Sequence, residues 1–254
     1  MSTDLTFVLV HGSWHQGTCW SAVASQLADA GFPSLTPTLP GHGTTDDRRG
    51  SVTHDDYVAS VEAAVEAAPG PVVLVGHSFG GSVISRVAER HPERCHLLVY
   101  YSAFVPRDGE RIADSLPGPF IEFLEAAAAG SADRSVVLPK DMFTSAFANT
   151  AGQAEADAIY RQLVPEPYGP IFEQLPLSKF DGLGIPSAYI SCKQDQALPP
   201  GSFHPGQSSG LKAPQLIEID GDHETLYTSP GSLAWALLTA VGANDVQVGQ
   251  AAPA

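Results

Sequence analysis

The sequence predicts an α/β fold in which a mostly parallel sheet is covered by helices on both faces. Its predicted strands are apolar along their whole length, and segments with apolar residues at helical spacing lie between them. Strands that are buried on both faces and alternate with amphipathic helices are typical of parallel sheets. The alternation stops between residues 106 and 180, a segment rich in proline, and resumes after it. We therefore expect a helical segment inserted into an α/β core.

Four strands and three helices are predicted before the break. The first helix starts near Trp20, and the third follows Ser78. The second begins at Thr53, which forms a predicted capping box with Asp56 ahead of apolar positions at helical spacing. Residues 44–50, which precede this helix, are polar and are expected to be mobile. The strands are predicted at residues 5–10, 33–38, 72–75 and 95–101.

The inserted segment is predicted to be a helical cap. Its helical pieces are expected at residues 119–129, 140–148 and 153–163, with no strand–turn–helix unit among them. These pieces carry more large apolar side chains than three short helices can bury among themselves. Some of these side chains should therefore cover a site on the core. They include Phe120, Phe123, Met142, Phe143, Phe147, Tyr160 and Phe172.

The α/β pattern resumes after the cap and completes one domain. Strands are predicted at residues 186–191 and 214–220, and a last helix at residues 233–241. The predicted organisation is a core of residues 1–105 and 181–242, a cap of residues 106–180, and a C-terminal tail of residues 243–254. Ligands on such sheets lie beyond the carboxyl ends of the strands, so the loops at that edge should hold the site.

The composition is that of an acidic protein with enough apolar residues for a core. Its 254 residues carry a formal charge of −15 and are 43% hydrophobic. A surface this acidic repels phosphate backbones and anionic membranes, so neither a nucleic-acid nor a membrane partner is expected. No apolar run reaches the roughly 18 residues of a membrane span. The sequence leaves the oligomeric state open.

The start of the chain and its cysteines bear on the cellular compartment. Residues 1–4 lead straight into a strand without the basic and apolar regions of a signal peptide, so none is expected. The three cysteines are odd in number and far apart, which disfavours a disulfide framework. We therefore expect a cytoplasmic protein.

One motif singles out a nucleophile. The sequence Gly-His-Ser-Phe-Gly at residues 76–80 follows an apolar run and precedes apolar positions at helical spacing. In a strand–turn–helix of this kind the central residue adopts a strained backbone conformation that pushes its side chain out above the sheet. Glycines two positions to either side avoid collisions with the neighbouring strand and helix. Ser78 is the candidate nucleophile.

A serine hydroxyl needs a base, and the base needs an acid that orients it. His223 follows the sixth predicted strand and Asp195 follows the fifth, so both should reach the edge where Ser78 lies. Serine, then acid, then histidine is the chain order of one group of triad hydrolases. The other eight histidines lie in early loops or away from this edge. Asp108, after the fourth strand, is the alternative acid.

Acyl transfer also needs donors for the oxyanion of the tetrahedral intermediate. The backbone N–H of Phe79, directly after the nucleophile, is one candidate, and that of Ser13, after the first strand, is the other. Gly12 would permit the close approach that the second donor requires. The spacing of His11 and His15 suits a metal only on a helix, and a loop is predicted there, so no metal or cofactor is expected.

The chain resembles the α/β-hydrolases, and more narrowly the group of plant methylesterases, hydroxynitrile lyases and bacterial esterase relatives. The motifs that carry the resemblance are residues 7–15, 39–43 and 76–81, Asp195 before Ala-Leu-Pro, and residues 221–224. The resemblance covers about 180 residues of the core and only loosely the cap. It implies the α/β-hydrolase fold, Ser78, Asp195 and His223 as the triad, and Ser13 and Phe79 as oxyanion donors.

Two positions depart from the lyases of this group. Those enzymes carry a threonine directly after the first-strand histidine and a lysine directly after the catalytic histidine, where this chain has Gly12 and Glu224. The lysine stabilises departing cyanide, and a glutamate would oppose that anion. Lyase activity is therefore disfavoured. The serine at the turn also disfavours epoxide hydrolase and dehalogenase chemistry, for which similar folds use an aspartate.

The expected activity is hydrolysis of a small to medium apolar carboxylic ester through an acyl-enzyme. The substrate is expected to lie under the cap near Trp14, His42 and Phe104. One alternative is a tailoring enzyme of secondary metabolism that uses the same triad on lactones or thioesters, or for lyase chemistry. Another is a poorly catalytic ligand-binding protein of this fold.

Overall fold

The structure, a computed structural model, describes residues 5–44 and 48–242. In this part of the chain eight strands are found: β1 (Thr6–Val10), β2 (Ser34–Leu35), β3 (Val72–His77), β4 (Cys95–Tyr101), β5 (Ser135–Val136), β6 (Glu166–Pro167), β7 (Ser187–Cys192) and β8 (Gln215–Ile219). All except β5 and β6 form one parallel sheet in the order β2-β1-β3-β4-β7-β8. The predicted α/β class and the parallel sheet are therefore confirmed.

Helices cover this sheet on both faces. The described helices are α1 (Ser21–Asp29), α2 (His54–Ala67), α3 (Gly80–Arg90), α4 (Gly118–Gly130), α5 (Lys140–Met142), α6 (Gln153–Tyr160), α7 (Gly169–Phe172), α8 (Thr225–Thr228) and α9 (Pro230–Ala240). A π-helical turn at Phe143–Phe147 follows α5. Of the described helices, none is long and apolar enough to cross a membrane.

The alternation of side chains along the strands explains why both faces are covered. Successive residues of a strand point to opposite faces. In β1, Val8 and Val10 belong to one buried cluster, which also contains apolar residues of α2 and α3. Phe7 and Leu9 belong to a second cluster, with residues of α1 and α9. Because each face of β1 is fully apolar, each needs its own layer of helices.

The second helix begins as the sequence predicts. Thr53 accepts a hydrogen bond from the backbone N–H of Asp56, and the Asp56 carboxylate accepts one from the backbone N–H of Thr53 at 2.8 Å. These bonds satisfy donors that would otherwise be unpaired at the first turn. The predicted capping box is confirmed.

The second strand is shorter than predicted. Only Ser34–Leu35 of the predicted residues 33–38 pairs with β1. Pro37 has no N–H to donate to a ladder. Beyond Leu35 the chain turns towards Gly17, whose N–H donates to Thr38 Oγ1 at 3.0 Å. β2 is therefore a two-residue strand at the edge of the sheet.

The segment between β4 and β7 contains the predicted helical pieces and an unpredicted ladder. We propose residues 106–180 as the cap and use that name for them. α4, α5 with the π-helical turn, and α6 correspond to the three predicted pieces. β5 and β6 pair antiparallel, Ser135 with Pro167 and Val136 with Glu166. The expectation that the cap contains helices alone is therefore corrected, because two-residue strands are too short to show an alternating pattern.

Two predicted segments extend beyond the described residues. Residues 45–47 of the polar segment 44–50 and the whole tail of residues 243–254 lie outside them.

Candidate active site

Ser78 lies on a tight turn between β3 and α3. Its φ of 51° is in the left-handed region, which residues other than glycine rarely adopt. A Cβ added to Gly76 would lie 2.6 Å from the carbonyl oxygen of Gly80, and one added to Gly80 would lie 2.7 Å from that of Val10. Glycine is therefore required at both positions, as the motif predicts.

The loops after β7 and β8 bring an acid to a histidine. His223 Nδ1 and Asp195 Oδ2 are 2.8 Å apart, and both side chains are almost completely buried. The other carboxylate oxygen of Asp195 accepts N–H bonds from Ala197 at 2.9 Å and Leu198 at 2.8 Å. These bonds hold Asp195 against Nδ1, so Nε2 is the ring nitrogen available to Ser78.

The charges of Asp195 and His223 stabilise each other. Burial alone would raise the pKa of the acid and lower that of the histidine. For Asp195, the charge and hydrogen bond of His223 outweigh burial and lower the pKa below its usual value. For His223, burial is likewise outweighed by Asp195, and the pKa is raised above 6.5. Each of the two groups therefore favours the charged form of the other.

The shifted pKa of His223 predicts the pH dependence of hydrolysis. Only neutral His223 can accept the proton of Ser78, so activity should fall as the pH drops through this pKa. Because the pKa is raised, we expect kcat/KM for a neutral ester to be half-maximal at a pH above the ordinary histidine value of about 6.5. A profile of kcat/KM from pH 4.5 to 9 with a non-ionising substrate measures this. A midpoint below the ordinary value would contradict it.

Ser78 and His223 border one cavity of about 480 Å³ under the cap. Most of its wall is apolar, and of the described residues that line it none is an aspartate, glutamate, lysine or arginine. Its polar side chains, besides Ser78 and His223, belong to Ser13, Ser115, Gln196 and Ser202. The large apolar side chains in the wall include Phe104, Phe120, Met142, Phe147, Leu198 and Phe203. Such a cavity suits a neutral, mainly apolar ligand.

The predicted site residues come together with one exception. Ser13, Trp14, Phe79 and Phe104 all line the cavity with Ser78 and His223, and Asp195 lies behind His223. The placement of His42 in the substrate pocket is corrected. His42 is 1% exposed, does not line the cavity, and its Nε2 donates to Glu166 Oε2 at 2.8 Å. A buried carboxylate from the cap holds this ring behind the cavity wall.

The competing carboxylates are engaged elsewhere. Asp108 accepts the backbone N–H of Leu177 at 2.7 Å and lines a separate cleft. Asp222 accepts both the N–H and the hydroxyl of Thr150, at 2.9 and 2.7 Å. Neither carboxylate reaches His223 Nδ1, which is bound to Asp195. The geometry favours Asp195 over the alternative acid Asp108.

The two positions that distinguish the chain from the lyases lie behind the cavity wall. Neither Gly12 nor Glu224 lines the cavity. Glu224 is fully buried and its Oε2 lies 3.0 Å from His15 Nε2. A Cβ on Gly12 would lie 2.8 Å from the Cβ of Ser78. Glu224 is therefore turned towards His15, and Gly12 allows the first loop to approach Ser78.

Two residues of the cap make contacts with site residues that the sequence did not indicate. The ring of Phe147 lies edge-on to His223, with centroids 5.2 Å apart, and also contacts Trp14 at 5.8 Å. In the sequence, nothing distinguishes Phe147 from the other large apolar residues of the cap. Glu166 binds Trp14 and His42, and its signal in the sequence is a lone carboxylate between two prolines.

The His11 and His15 rings are engaged by the protein. His11 donates from Nδ1 to the carbonyl oxygen of Gly12 and accepts the N–H of Leu39 at Nε2. The two nitrogens of His15 face Ser13 O and Glu224 Oε2. Within residues 5–44 and 48–242, no group of three or more metal-ligating side chains is gathered.

Comparisons with known proteins bear on the family of the chain. Residues 7–234 match the alpha/beta hydrolase family. A carbendazim hydrolyzing esterase of Nocardioides sp. is 43% identical over 113 residues, which cover 44% of this chain and 47% of that protein, or about half the length of each. A putative chloroplastic methylesterase 12 of Arabidopsis thaliana is 28% identical, and the match covers 91% of this chain and 70% of that protein.

A solved structure matches almost the entire chain. It is an extracellular alpha/beta-hydrolase from a Paenibacillus species, described as sharing structural and functional homology with tobacco salicylic acid binding protein 2. The two are 39% identical with a TM-score of 0.87, and the match covers 93% of this chain and 98% of the other. The resemblance to plant methylesterases and bacterial esterases is confirmed, and the named relatives support a carboxylic-ester hydrolase. This chain is a member of the alpha/beta hydrolase family.

Proposed function

We propose that this chain is a serine hydrolase of small to medium apolar carboxylic esters. The observation that carries the proposal is that Ser78, on its strained turn, shares a cavity with His223, whose Nδ1 is bound to Asp195 at 2.8 Å. A nucleophile, a base and an orienting acid in this arrangement perform acyl transfer. The esterases among the relatives support the same reaction class.

The steps follow from the positions of these three residues. Ser78 Oγ attacks the ester carbonyl carbon while His223 Nε2 takes its proton. The bond to the alcohol oxygen then breaks, and His223 returns the proton to the departing alcohol. Water attacks the acyl-enzyme carbonyl carbon and gives a proton to His223. The bond to Ser78 Oγ then breaks, and His223 returns the proton to this oxygen as the acid leaves. Asp195 stabilises the imidazolium in both halves.

Two backbone N–H groups are proposed to hold the oxyanion. Phe79 is the residue at the N-terminal end of α3, where free N–H groups and the helix dipole favour negative charge. Ser13 borders the cavity from the loop after β1. The N–H of the next residue, Trp14, is bound to Glu166. This leaves Ser13 as the better candidate in that loop.

The cavity supports neutral substrates over charged ones. Its described lining has no charged side chain other than His223 when protonated, and an unpaired ionised group is costly to desolvate. A volume of about 480 Å³ accommodates a ligand with one or two rings. The walls beside Phe104 and Phe147 offer aromatic contacts. We therefore propose neutral alkyl or aryl esters as the main class, with lactones, thioesters and carbamates as variants.

A panel of p-nitrophenyl esters of graded acyl length tests the proposal. We expect turnover that is highest for short to medium acyl chains, together with covalent labelling by a serine-reactive phosphonate. Carbendazim belongs in the panel because a relative is named for it. Absence of both turnover and labelling would overturn the proposal and favour the ligand-binding alternative.

A cytoplasmic location is proposed on the state of the cysteines. Cys19, Cys95 and Cys192 are all unpaired, which agrees with a reducing compartment. One structural relative is extracellular, so the location needs its own test. Cell fractionation with an antibody to the chain should find it in the lysate, and recovery from the medium would contradict this.

A further inference from the structure

The oxyanion loop, defined as residues 12–15, is held by two buried carboxylates. Glu166 Oε2 accepts the backbone N–H of Trp14 at 2.8 Å, and Glu224 Oε2 lies 3.0 Å from His15 Nε2. Both glutamates are 0% exposed. Burial of a carboxylate is costly unless it is paired. Neither carboxylate is hydrogen-bonded to Ser78, Asp195 or His223, and both contact this loop.

The cap binds Trp14 at three points. Besides the bond to Glu166, its indole N–H donates to the carbonyl oxygen of Val136 at 2.9 Å, and its own carbonyl oxygen accepts the N–H of Val164 at 2.8 Å. These partners lie in or beside β5 and β6. Trp14 has a φ of 63°, which is strained for a residue other than glycine and persists only when surrounding contacts enforce it. The cap therefore enforces the conformation of the loop.

The core holds the same loop through a buried ion pair. His15 faces acceptors at both ring nitrogens, Ser13 O at 2.7 Å and Glu224 Oε2 at 3.0 Å, so both nitrogens must carry protons. Burial lowers the pKa of His15, but the Glu224 carboxylate outweighs burial and raises it above 6.5. Because Glu224 follows His223 in the chain, the pair ties the loop to the base.

These bonds meet on one peptide unit. The Ser13 carbonyl oxygen accepts from His15, and the N–H of the same peptide donates to Glu166. On the preceding peptide, the carbonyl oxygen of Gly12 accepts from His11 Nδ1 at 2.8 Å. The N–H of a trans peptide points away from its carbonyl oxygen, so the Ser13 N–H is directed away from His11. The direction of the Ser13 N–H is thus fixed by the hydrogen bonds that hold the two peptide planes on either side of Ser13.

We propose that Glu166 and Glu224 are positioning residues that aim the Ser13 N–H at the oxyanion. Glu166 acts from the cap through Trp14, and Glu224 acts from the core through His15. Neither touches the substrate. The inference rests on the proposed esterase function, and it gives the cap a part in positioning the oxyanion hole as well as in covering the cavity.

Glu166→Gln and Glu224→Gln test the proposal against two matched controls. Glu173→Gln alters another cap glutamate that accepts a core N–H, that of His54 at 3.0 Å, away from the loop. Glu62→Gln alters another His–Glu contact, with His91 at 3.1 Å, near the surface. We expect kcat to fall by about 10- to 100-fold in each test variant, with KM changed by less than about threefold. Both controls should match wild type.

A transition-state analogue separates positioning from stability. Ser78 Oγ adds to the carbonyl carbon of a trifluoromethyl ketone, and the serine proton passes to His223. The oxyanion of the resulting hemiketal occupies the proposed hole. The Ki of this inhibitor should rise by the same factor as kcat/KM falls, while the Ki of the matching methyl ketone stays constant. Glu166→Asp, which keeps the charge, should recover part of the loss.

The possible outcomes distinguish the two proposals. If wild type hydrolyses the ester panel but Glu166→Gln and Glu224→Gln match it in kcat and inhibitor Ki, the positioning role is overturned and the esterase proposal stands. If wild type hydrolyses none of the esters and is not labelled by the phosphonate, the esterase proposal itself fails. A fall in melting temperature without any change in kcat at a temperature where the variants stay folded also counts against positioning.

Discussion

Ser78→Ala is expected to abolish ester hydrolysis, with kcat reduced by roughly 10⁴- to 10⁶-fold. The substitution removes the Oγ that forms the acyl-enzyme and leaves the cavity and oxyanion donors in place. Any residual turnover would come from water attacking a bound ester. The φ of 51° at this position is unfavourable for serine and alanine alike. The substitution should therefore add no backbone strain, and the fold should be retained.

The measurement is steady-state hydrolysis of the best p-nitrophenyl ester, with product binding by calorimetry as a check on the cavity. Ser60→Ala is the matched control, because this serine bonds only to the carbonyl of Tyr57 within α2 among its described contacts. The control should match wild type. Turnover that survives in Ser78→Ala, or phosphonate labelling of that variant, would show that another group is the nucleophile.

Asp195→Asn is expected to reduce kcat by about 10⁴-fold, the size of effect found when a triad acid becomes an amide. Asp195 Oδ2 accepts from His223 Nδ1 at 2.8 Å, while Oδ1 is held by the N–H groups of Ala197 and Leu198. With its oxygen kept on those two donors, the amide would present its NH₂ to Nδ1. The imidazole would then carry its proton on Nε2 and could not accept that of Ser78.

Asp108→Asn is the matched control for the acid. Asp108 also follows a strand of the sheet, but its carboxylate accepts the N–H of Leu177, at 2.7 Å, in the cap. We expect its kcat to stay within about twofold of wild type, since surface changes away from a site have small effects. Loss of activity in Asp108→Asn with retention in Asp195→Asn would move the acid to the loop after β4.

Local sequence signals predicted most of the fold and the central site residues. The motif around Ser78 spans residues 76–80, but only one of its glycines is required by a neighbour in the motif. A Cβ on Gly76 would lie 2.6 Å from the carbonyl oxygen of Gly80, and one on Gly80 would lie 2.7 Å from that of Val10 in β1. The capping box of α2 spans four residues. The order of Ser78, Asp195 and His223 follows from parallel strands that all end at one edge. The turn and the capping box depend on short patterns, whereas the order of the three residues depends on the alternation of strands and helices along the chain.

The contacts that the sequence did not indicate are those between residues far apart in the chain. His42 and Glu166 are 124 positions apart, and His15 and Glu224 are 209 apart. Nothing beside His42 in the sequence indicates that a cap carboxylate would hold its ring away from the cavity. In the same way, nothing beside Glu224 in the sequence indicates that its carboxylate contacts His15. The β5–β6 ladder was missed because each strand has only two residues.

The sequence by itself determined the α/β class, the strand–turn–helix motif around the proposed nucleophile Ser78, and the positions of Asp195 and His223 after successive strands. Only the tertiary structure showed which carboxylate lies against His223 and which carboxylates contact residues 12–15. The physical reason is range: strand, turn and cap patterns arise from neighbours within a few residues. The roles of Glu166 and Glu224 depend on which buried donors the folded chain brings within 3.0 Å of each carboxylate.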